Sequence, residues 1–359
     1  MTAVLASDHT APELVLPTAD VRALARRAAG PTVLGGVAVG AMLLLGGRAN
    51  AFIDGLRHAL GVRPSWAALA AGFECISLAG YVGLLSLVAG RATKRIGARE
   101  SAQITLAGAA ATRLLPTAGA GGLGLTIWTL RRAGLQTRSA IRTLLVFLVL
   151  LYSAFLSSMA VSGLLLALGL VRSRGPVELS AIMGGGALLA VALGLSLALR
   201  HEPGTETDHE RRHAGRGHRI KVGAGLVGEA VREASRLIRS GNPRLAGAVA
   251  YWAFDAAVLW AMLRAFGSSP ALPVVALAYF AGQIANTLPI PGSVSGGIAG
   301  VLIMFGVPAE LALPSVLAYR AVSVWLPAPL AIAAVPALRS TVRGWGHPGS
   351  RDSGSSARI

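Results

Sequence analysis

The stretch from Ala281 to Pro327, AGQIANTLPIPGSVSGGIAGVLIMFGVPAELALPSVLAYRAVSVWLP, sets the architecture of this chain. It begins as an apolar helix, is interrupted over residues 288–292, resumes at Gly296-Gly297 and ends in a long apolar run that contains Arg320. An interrupted helix in an apolar environment leaves backbone N–H and C=O groups without water, so it persists only where it packs in protein or lines a polar cavity. The stretch therefore predicts a membrane protein with a binding site at the helix break.

The composition excludes a water-soluble core. The chain is 53% hydrophobic and only 14% charged, and several apolar runs are long enough to span a bilayer. Its net charge is +17, but the basic residues cluster between the apolar runs and in the tails, as expected of cytoplasmic loops. The expected partner of this charge is the anionic inner leaflet, not nucleic acid. The single cysteine, Cys75, excludes an internal disulfide and a cysteine-based metal cluster.

We predict an all-α polytopic membrane protein with six full spans, and loop charges that place both termini inside. The spans are residues 31–47, 66–90, 144–171, 180–199, 245–266 and 308–338. The first could instead be a signal peptide, because Ala49-Asn50-Ala51 has the form of a cleavage site, but its polar lead is long for a signal. Because arginine far outnumbers lysine and Ala and Gly are abundant, we expect a bacterial protein of the inner membrane.

These spans predict five regions. They are a cytoplasmic N-terminal tail (1–30), a first membrane half (31–199), a cytoplasmic loop (200–243), a second membrane half (244–339) and a cytoplasmic C-terminal tail (340–359). The loop is expected to carry an amphipathic helix over 222–241 on the inner leaflet, or else a plain connector helix. His209 and His213 have a spacing that suits a metal ion, but histidines in a charged loop more often bind nothing.

Two further apolar runs, 102–130 and 273–306, are interrupted and predict re-entrant helical hairpins. Their arms of roughly a dozen residues are too short for a ~30 Å core. Basic residues flank the first run and few charges flank the second, so the two should enter from opposite sides. Pro116 precedes Gly121-Gly122 at the spacing by which Pro291 precedes Gly296-Gly297. The pattern predicts an inverted repeat of span, hairpin, span, although the spacing alone could be coincidence.

Four ionisable residues, Glu74, Arg113, Asp255 and Arg320, are predicted to lie near the middle of the bilayer, roughly 12–18 Å deep. A single charge at that depth costs about 2.5–3.5 kcal/mol, so unpaired burial is not expected. They either form salt bridges that hold the bundle together or line a cavity for a lipid headgroup. The two helix breaks favour the cavity.

Further candidate ligands surround these charges. The second arms should begin at Gly121-Gly122 and Gly296-Gly297, where N–H groups and the positive helix end would face a phosphate. Arg113 and Arg320 would bond the phosphate oxygens, and Glu74 and Asp255 an amine or hydroxyl. Gln283 and Asn286 are polar candidates that could equally serve helix packing.

No motif in the chain encodes catalysis. Residues 119–124 match G-x-G-x-x-G, but no strand precedes them, so a dinucleotide site is not predicted. No nucleophile elbow, zinc signature or P-loop occurs. We therefore expect no enzyme activity, no cofactor and no metal, and transport that runs downhill or on an ion gradient.

Several segments resemble the transmembrane (flippase) region of the lysylphosphatidylglycerol synthetase family. In the second half these are YWAFDAAVLWAMLRAFG with Asp255, ANTLPIPGSVSGG, FGVP and AYRAVSVWLP; in the first half they are Glu74 with Ser77, and LLPTAGAGG followed by LRRAG. The resemblance covers about residues 31–340. It implies movement between leaflets of an aminoacylated or otherwise decorated phospholipid, or of an isoprenoid-type lipid.

Two departures from the family pattern bear on the substrate. The chain lacks the soluble aminoacyl-transferase domain, so we do not expect it to synthesise lysylphosphatidylglycerol by itself. The family's glutamate after the second glycine pair is replaced, with Ser295 and Ile298 at the nearest positions, and an acidic residue of the first hairpin is also missing. The identity of the lipid is therefore open.

The leading hypothesis is a translocator of a phospholipid or lipid-linked substrate. The alternatives are a membrane-embedded glycosyl or acyl transferase, in which Asp255 and Glu74 act as base or metal ligands, and a non-transporting partner that docks a soluble enzyme through residues 200–243. A homodimer is compatible with any of these.

Overall fold

A computed structural model of the chain describes residues 63–114, 120–200, 216–287, 290 and 292–345, and it contains only helices in these ranges. The predicted first span, most of both tails and residues 201–215, including His209 and His213, lie outside the described residues. The helices are α1 (Pro64–Ala92), α2 (Ala98–Leu114), α3 (Ala120–Arg132), α4 (Thr137–Ala167), α5 (Val177–Arg200), α6 (Arg216–Arg239), α7 (Ala246–Ala265), α8 (Leu272–Ala285), α9 (Ser293–Met304), α10 (Ala309–Arg320) and α11 (Ala328–Gly344).

Five stretches of the described chain are long and apolar enough to cross a membrane. They are Pro64–Ala92, Thr137–Ala167, Val177–Ser196, Pro243–Ala265 and Ala309–Gly344. Each corresponds to one of the predicted spans. The last comprises α10, a π-helical segment at Ala321–Trp325, and α11. By contrast α8 and α9, of 14 and 12 residues, reach only about 21 and 18 Å, less than a ~30 Å hydrocarbon core.

Helices α1 and α7 form the centre of the bundle and run antiparallel. Trp66 contacts Trp260, Phe73 contacts Phe254, and Gly80 lies against Gly247. The contacting residue numbers thus fall along α7 as they rise along α1. At the glycine pair, a Cβ built on Gly80 would lie 2.7 Å from the carbonyl oxygen of Gly247. The missing side chains thus allow the two backbones to touch, as in other closely packed membrane helices.

The other helices surround this pair in two similar sets. Helix α1 packs on α2 and α4, and α7 packs on α8 and α10. Across the sets, α2 packs on α11, where Thr341 donates to the side-chain oxygen of Gln103 (2.9 Å), and α8 packs on α4, where Phe155 contacts Phe280. Helix α5 lies outside, against α4 and α6, and presents many exposed apolar side chains.

The short helices pair as α2 with α3 and α8 with α9, each held by facing glycines. Gly122 lies against Gly108, and Gly297 lies against Gly282. The predicted start at Gly121-Gly122 agrees with α3, which begins at Ala120. The predicted start at Gly296-Gly297 is wrong, because Gly292, with φ +82°, makes a left-handed turn and α9 begins directly after it at Ser293.

The two ends of the bundle differ in charge. We call the end formed by loops 93–97, 133–136 and 240–245 the basic end; there Thr93 donates to the carbonyl of Ala133 (3.3 Å). The opposite end is formed by loops 168–176, 266–271 and 305–308, where Gly175 packs on Phe305. The basic end carries Arg91, Lys94, Arg95, Arg99, Arg131, Arg132, Arg138, Arg142, Arg232, Arg236, Arg239, Arg244, Arg339 and Arg343, and the opposite end carries Arg63, Arg172, Arg174 and Arg264.

Helix α6 corresponds to the predicted amphipathic helix, and much of its apolar face packs on protein, whereas Ile238 is 54% exposed. Ala230, Ala234 and Leu237 are buried, and α6 packs on α4 and α5. Arg232 donates to the carbonyl of Ala198 at the end of α5 (2.7 Å). The contact of this helix with the inner leaflet stays a prediction.

Candidate functional site

A cavity of about 520 Å³ lies at the centre of the bundle, and most of the predicted site residues meet in it. Its lining includes Glu74, Gly122, Asp255, Gln283, Asn286 and Arg320. These residues come from α1, α3, α7, α8 and α10, so distant parts of the chain are brought together. Polar and charged groups surrounded by apolar helices give the cavity the form of a ligand site.

The two carboxylates of the cavity lie on the central helix pair. Glu74 on α1 is 5% exposed, and Asp255 on α7 is 9% exposed. One turn after Glu74, the Ser77 hydroxyl donates to the carbonyl of Tyr251 (2.9 Å), which joins the two helices beside the cavity. The Tyr279 hydroxyl of α8 donates to Oδ2 of Asp255 (2.7 Å) and thereby helps to orient the carboxylate.

Arg320 brings a cation to the same cavity. It is the last residue of α10, and the π-helical segment Ala321–Trp325 follows directly. This wider turn contributes Ser323 and Val324 to the lining. Inserted π turns in α-helices are frequent at functional sites, because the extra residue redirects the side chains around it. With a guanidinium and two carboxylates, the cavity can bind a ligand that carries both a phosphate and a cationic or hydroxyl group.

The closed ends of both short helix pairs reach this cavity. From the first pair come Thr112, near the end of α2, and Gly122 in the first turn of α3. Thr126, one turn later, also lines the cavity and donates to the Gly122 carbonyl (2.9 Å). From the second pair come Gln283 and Asn286, at the end of α8.

The other predicted site residues either do not line the cavity or have side chains that the structure does not describe. Gly121, Gly296 and Gly297 do not line the cavity. A Cβ built on Gly297 would lie 3.1–3.3 Å from atoms of Ala285, Gly282 and Ala281 of α8, so its small size serves helix packing. The N–H of Gly296 donates to the Gly292 carbonyl (2.8 Å) and thus belongs to the helix, not to a ligand. Arg113 is in the last turn of α2, but its side chain lies outside the described part of the chain.

Sequence reasoning missed several cavity residues that follow predicted ones at helical spacing. Ser77 lies three positions after Glu74, Tyr251 four before Asp255, Thr126 four after Gly122 and Ser323 three after Arg320. Residues three or four apart share a helix face, so this spacing could have found them. Tyr81 and Tyr319 also line the cavity, but no local pattern distinguishes them from core tyrosines. In the described residues, no three His, Cys, Asp or Glu side chains gather as a metal site.

The fold and the site define a multi-pass α-helical membrane protein with a charged interior cavity. The chain belongs to the family described as the lysylphosphatidylglycerol synthase TM region, whose family model matches residues 21–331. This match confirms the family resemblance of the sequence. Together with the membrane-spanning helices, it supports a membrane protein related to lipids. No curated protein matches the chain.

Proposed function

We propose that this protein translocates a phospholipid or lipid-linked phosphate between the leaflets of a bacterial inner membrane. The headgroup enters the central cavity, where Arg320 binds phosphate oxygens and Glu74 and Asp255 bind a cationic or hydroxyl group. The acyl chains stay in the bilayer, since only the headgroup needs a polar path. The proposal includes no covalent step and no nucleotide.

The observation that supports this proposal best is one cavity of mixed charge between the closed ends of two short helix pairs. The open end of α2 and α3 lies at the basic end, and that of α8 and α9 lies at the opposite end. We take them as re-entrant hairpins of an inverted repeat that meet at mid-membrane. A site between two such hairpins can be opened to either side by rocking one half against the other.

We further propose that the basic end is cytoplasmic, which puts the end of α11 inside and, together with the span predicted at 31–47, the N-terminus as well. The first support is that arginine and lysine are far more frequent at the basic end than at the opposite end. The second is that each contact joins residues that the sequence predicts on the same side of the membrane, as Thr93 with Ala133 and Arg142 with Glu233 inside, and Trp66 with Trp260 outside. Under this orientation the first hairpin enters from the cytoplasm and the second from outside.

The test is a flip assay in proteoliposomes with fluorescent phospholipids of different headgroups. We compare Asp255→Asn, Arg320→Gln and the control Arg264→Gln, an arginine on α7 that bonds Ser269 away from the cavity. Loss of a charge-assisted bond to the headgroup should slow flipping about tenfold or more in the two cavity variants.

The control variant should flip lipids within twofold of the unmodified protein. Each variant is first checked for a single symmetric peak in gel filtration, so that a misfolded protein is not counted as inactive. If both cavity variants flip lipids at the unmodified rate, the cavity is not the path and the proposal fails.

A further inference from the structure

A second cavity, of about 440 Å³, lies at the basic end between α1, α4 and the loop 133–136. Helix α6 contributes Glu233 to its lining, and we call it the cavity beneath α6. Its polar lining is Arg91, Gln136, Ser139, Arg142, Thr143 and Glu233. Val88 and Val146 form part of an apolar wall on the side of the bundle. The two cavities share no lining residue, so this one is a separate site.

An ion pair at this cavity joins α6 to α4. The Arg142 guanidinium of α4 donates to Oε2 of Glu233 of α6, and both residues line the cavity. One turn away, Arg138 and Glu229 form a looser pair, with 4.0 Å between nitrogen and oxygen. This second pair joins the same two helices and lies outside the cavity lining, so it serves as an internal control.

We propose that the cavity beneath α6 binds a phosphate-bearing anion through Arg91 and Arg142, and that Glu233 competes with this anion for Arg142. A guanidinium forms the same two-pronged hydrogen bond with a carboxylate and with a phosphate, so the two ligands exclude each other. Ser139 and Gln136 supply further donors, whereas the Thr143 hydroxyl donates to the Ser139 carbonyl (2.8 Å). A basic pocket between helices with an apolar wall suits the headgroup and glycerol of an anionic lipid.

Binding of the anion would loosen α6. When Glu233 gives up Arg142, α6 keeps its buried apolar face and the Arg138–Glu229 pair but loses its closer ion pair with α4. By linkage, an anion that weakens the docking of α6 is itself bound more tightly when α6 is detached. This inference does not depend on translocation, because it concerns binding and the mobility of one helix.

The test measures binding to the full-length protein in mild detergent with three probes: phosphatidylglycerol, sn-glycerol 3-phosphate, and diacylglycerol, which lacks phosphate. The variants are Arg91→Gln, Arg142→Gln and Glu233→Gln, with Arg138→Gln as the control of equal charge change. We expect Arg91→Gln and Arg142→Gln to weaken phosphatidylglycerol binding about tenfold and Arg138→Gln to change it less than twofold.

Glu233→Gln should strengthen binding, because it removes the competitor and keeps the shape of the side chain. In the unmodified protein, phosphatidylglycerol should speed amide hydrogen exchange in α6, and diacylglycerol should not. If glycerol 3-phosphate shows the same pattern across the variants as the lipid, the site is supported and its ligand is a soluble anion. Equal losses in Arg138→Gln and Arg142→Gln, or a Glu233→Gln protein that binds no more tightly, would overturn the proposal.

Discussion

Asp255 is held in the cavity wall by a hydroxyl from another helix. The Tyr279 hydroxyl donates to its Oδ2 (2.7 Å), and Tyr279 itself is fully buried. A buried hydrogen bond to a carboxylate contributes more than an ordinary one, because the alternative leaves a polar atom short of a partner in an apolar region. The bond links α7 to α8, and thus the central pair to a short helix at the cavity.

Tyr279→Phe should therefore destabilise the protein by about 1–3 kcal/mol, since it removes the donor and leaves the ring in place. The measurement is reversible unfolding by titration from mild detergent into sodium dodecyl sulfate. Tyr152→Phe is the control, because Tyr152 is 48% exposed on α4, and its effect should stay within about 0.5 kcal/mol. Equal effects of the two substitutions would contradict the role given to this bond.

The sequence could predict those site residues whose burial in a membrane costs much free energy. Glu74, Asp255 and Arg320 stand out because a charge inside an apolar run is costly unless it is paired or serves a function. Tyr279 does not, because a tyrosine in an apolar helix is ordinary, and its bond to Asp255 joins residues on different helices. The spacing rule along a single helix finds Ser77 and Tyr251, but it cannot find partners across helices.

At the scale of elements, the glycines of the helices serve mainly to bring backbones together. Gly80 and Gly247 lie at the crossing of α1 and α7, Gly163 and Gly184 at that of α4 and α5. Without a hydrophobic effect between helices in lipid, such close packing is a main source of association. The sequence reading assigned glycines at the helix breaks to ligand approach, because a glycine's role in packing is visible only once the facing helix is known.

Gly80→Ala should destabilise the bundle by about 1–3 kcal/mol, because the new methyl group overlaps the Gly247 carbonyl and the α7 backbone cannot move aside freely. Gly83→Ala, one turn further along α1, has no heavy atom within 4 Å of the new Cβ. It should be neutral, or stabilising by up to about 1 kcal/mol through helix propensity. Unfolding in detergent measures both, and similar losses in both variants would contradict the close crossing.

Gly296→Ala tests whether the glycines of the α8–α9 pair serve helix packing or the close approach of the substrate. A Cβ at Gly296 would have no heavy atom within 4 Å, whereas one at Gly282 would lie 2.3 Å from Ile298. We expect Gly296→Ala to flip lipids within twofold of the unmodified rate, and Gly282→Ala to lower the yield of folded protein. A well-folded Gly296→Ala protein with little flip activity would instead restore the idea that the substrate approaches this glycine.

At the scale of the whole molecule, the five described spans follow from apolar runs that the sequence shows plainly, since each must match the thickness of the bilayer. The boundaries of the helices agree less closely with the ends of these apolar runs. Helix α4 begins at Thr137, seven residues before the predicted span, because its basic first turns extend beyond the apolar run to pair with α6. That pairing, like the cavity beneath α6, depends on contacts far apart in the chain, which local patterns do not contain.

The proposed re-entrant architecture makes a definite prediction about the chain just after α8. We replace Cys75 with serine and introduce single cysteines at three exposed positions: Ser269 at the opposite end, Ser240 at the basic end, and Thr287 just after α8. A bulky, membrane-impermeant maleimide should label Ser269→Cys from outside and Ser240→Cys only from inside. Thr287→Cys should react from neither side, because α8 spans only about 21 Å and, in the proposed architecture, ends within the bilayer. Labelling of Thr287→Cys from the inside at the rate of Ser240→Cys would mean that α8 crosses the membrane fully, and the shared mid-membrane site would then lose its basis.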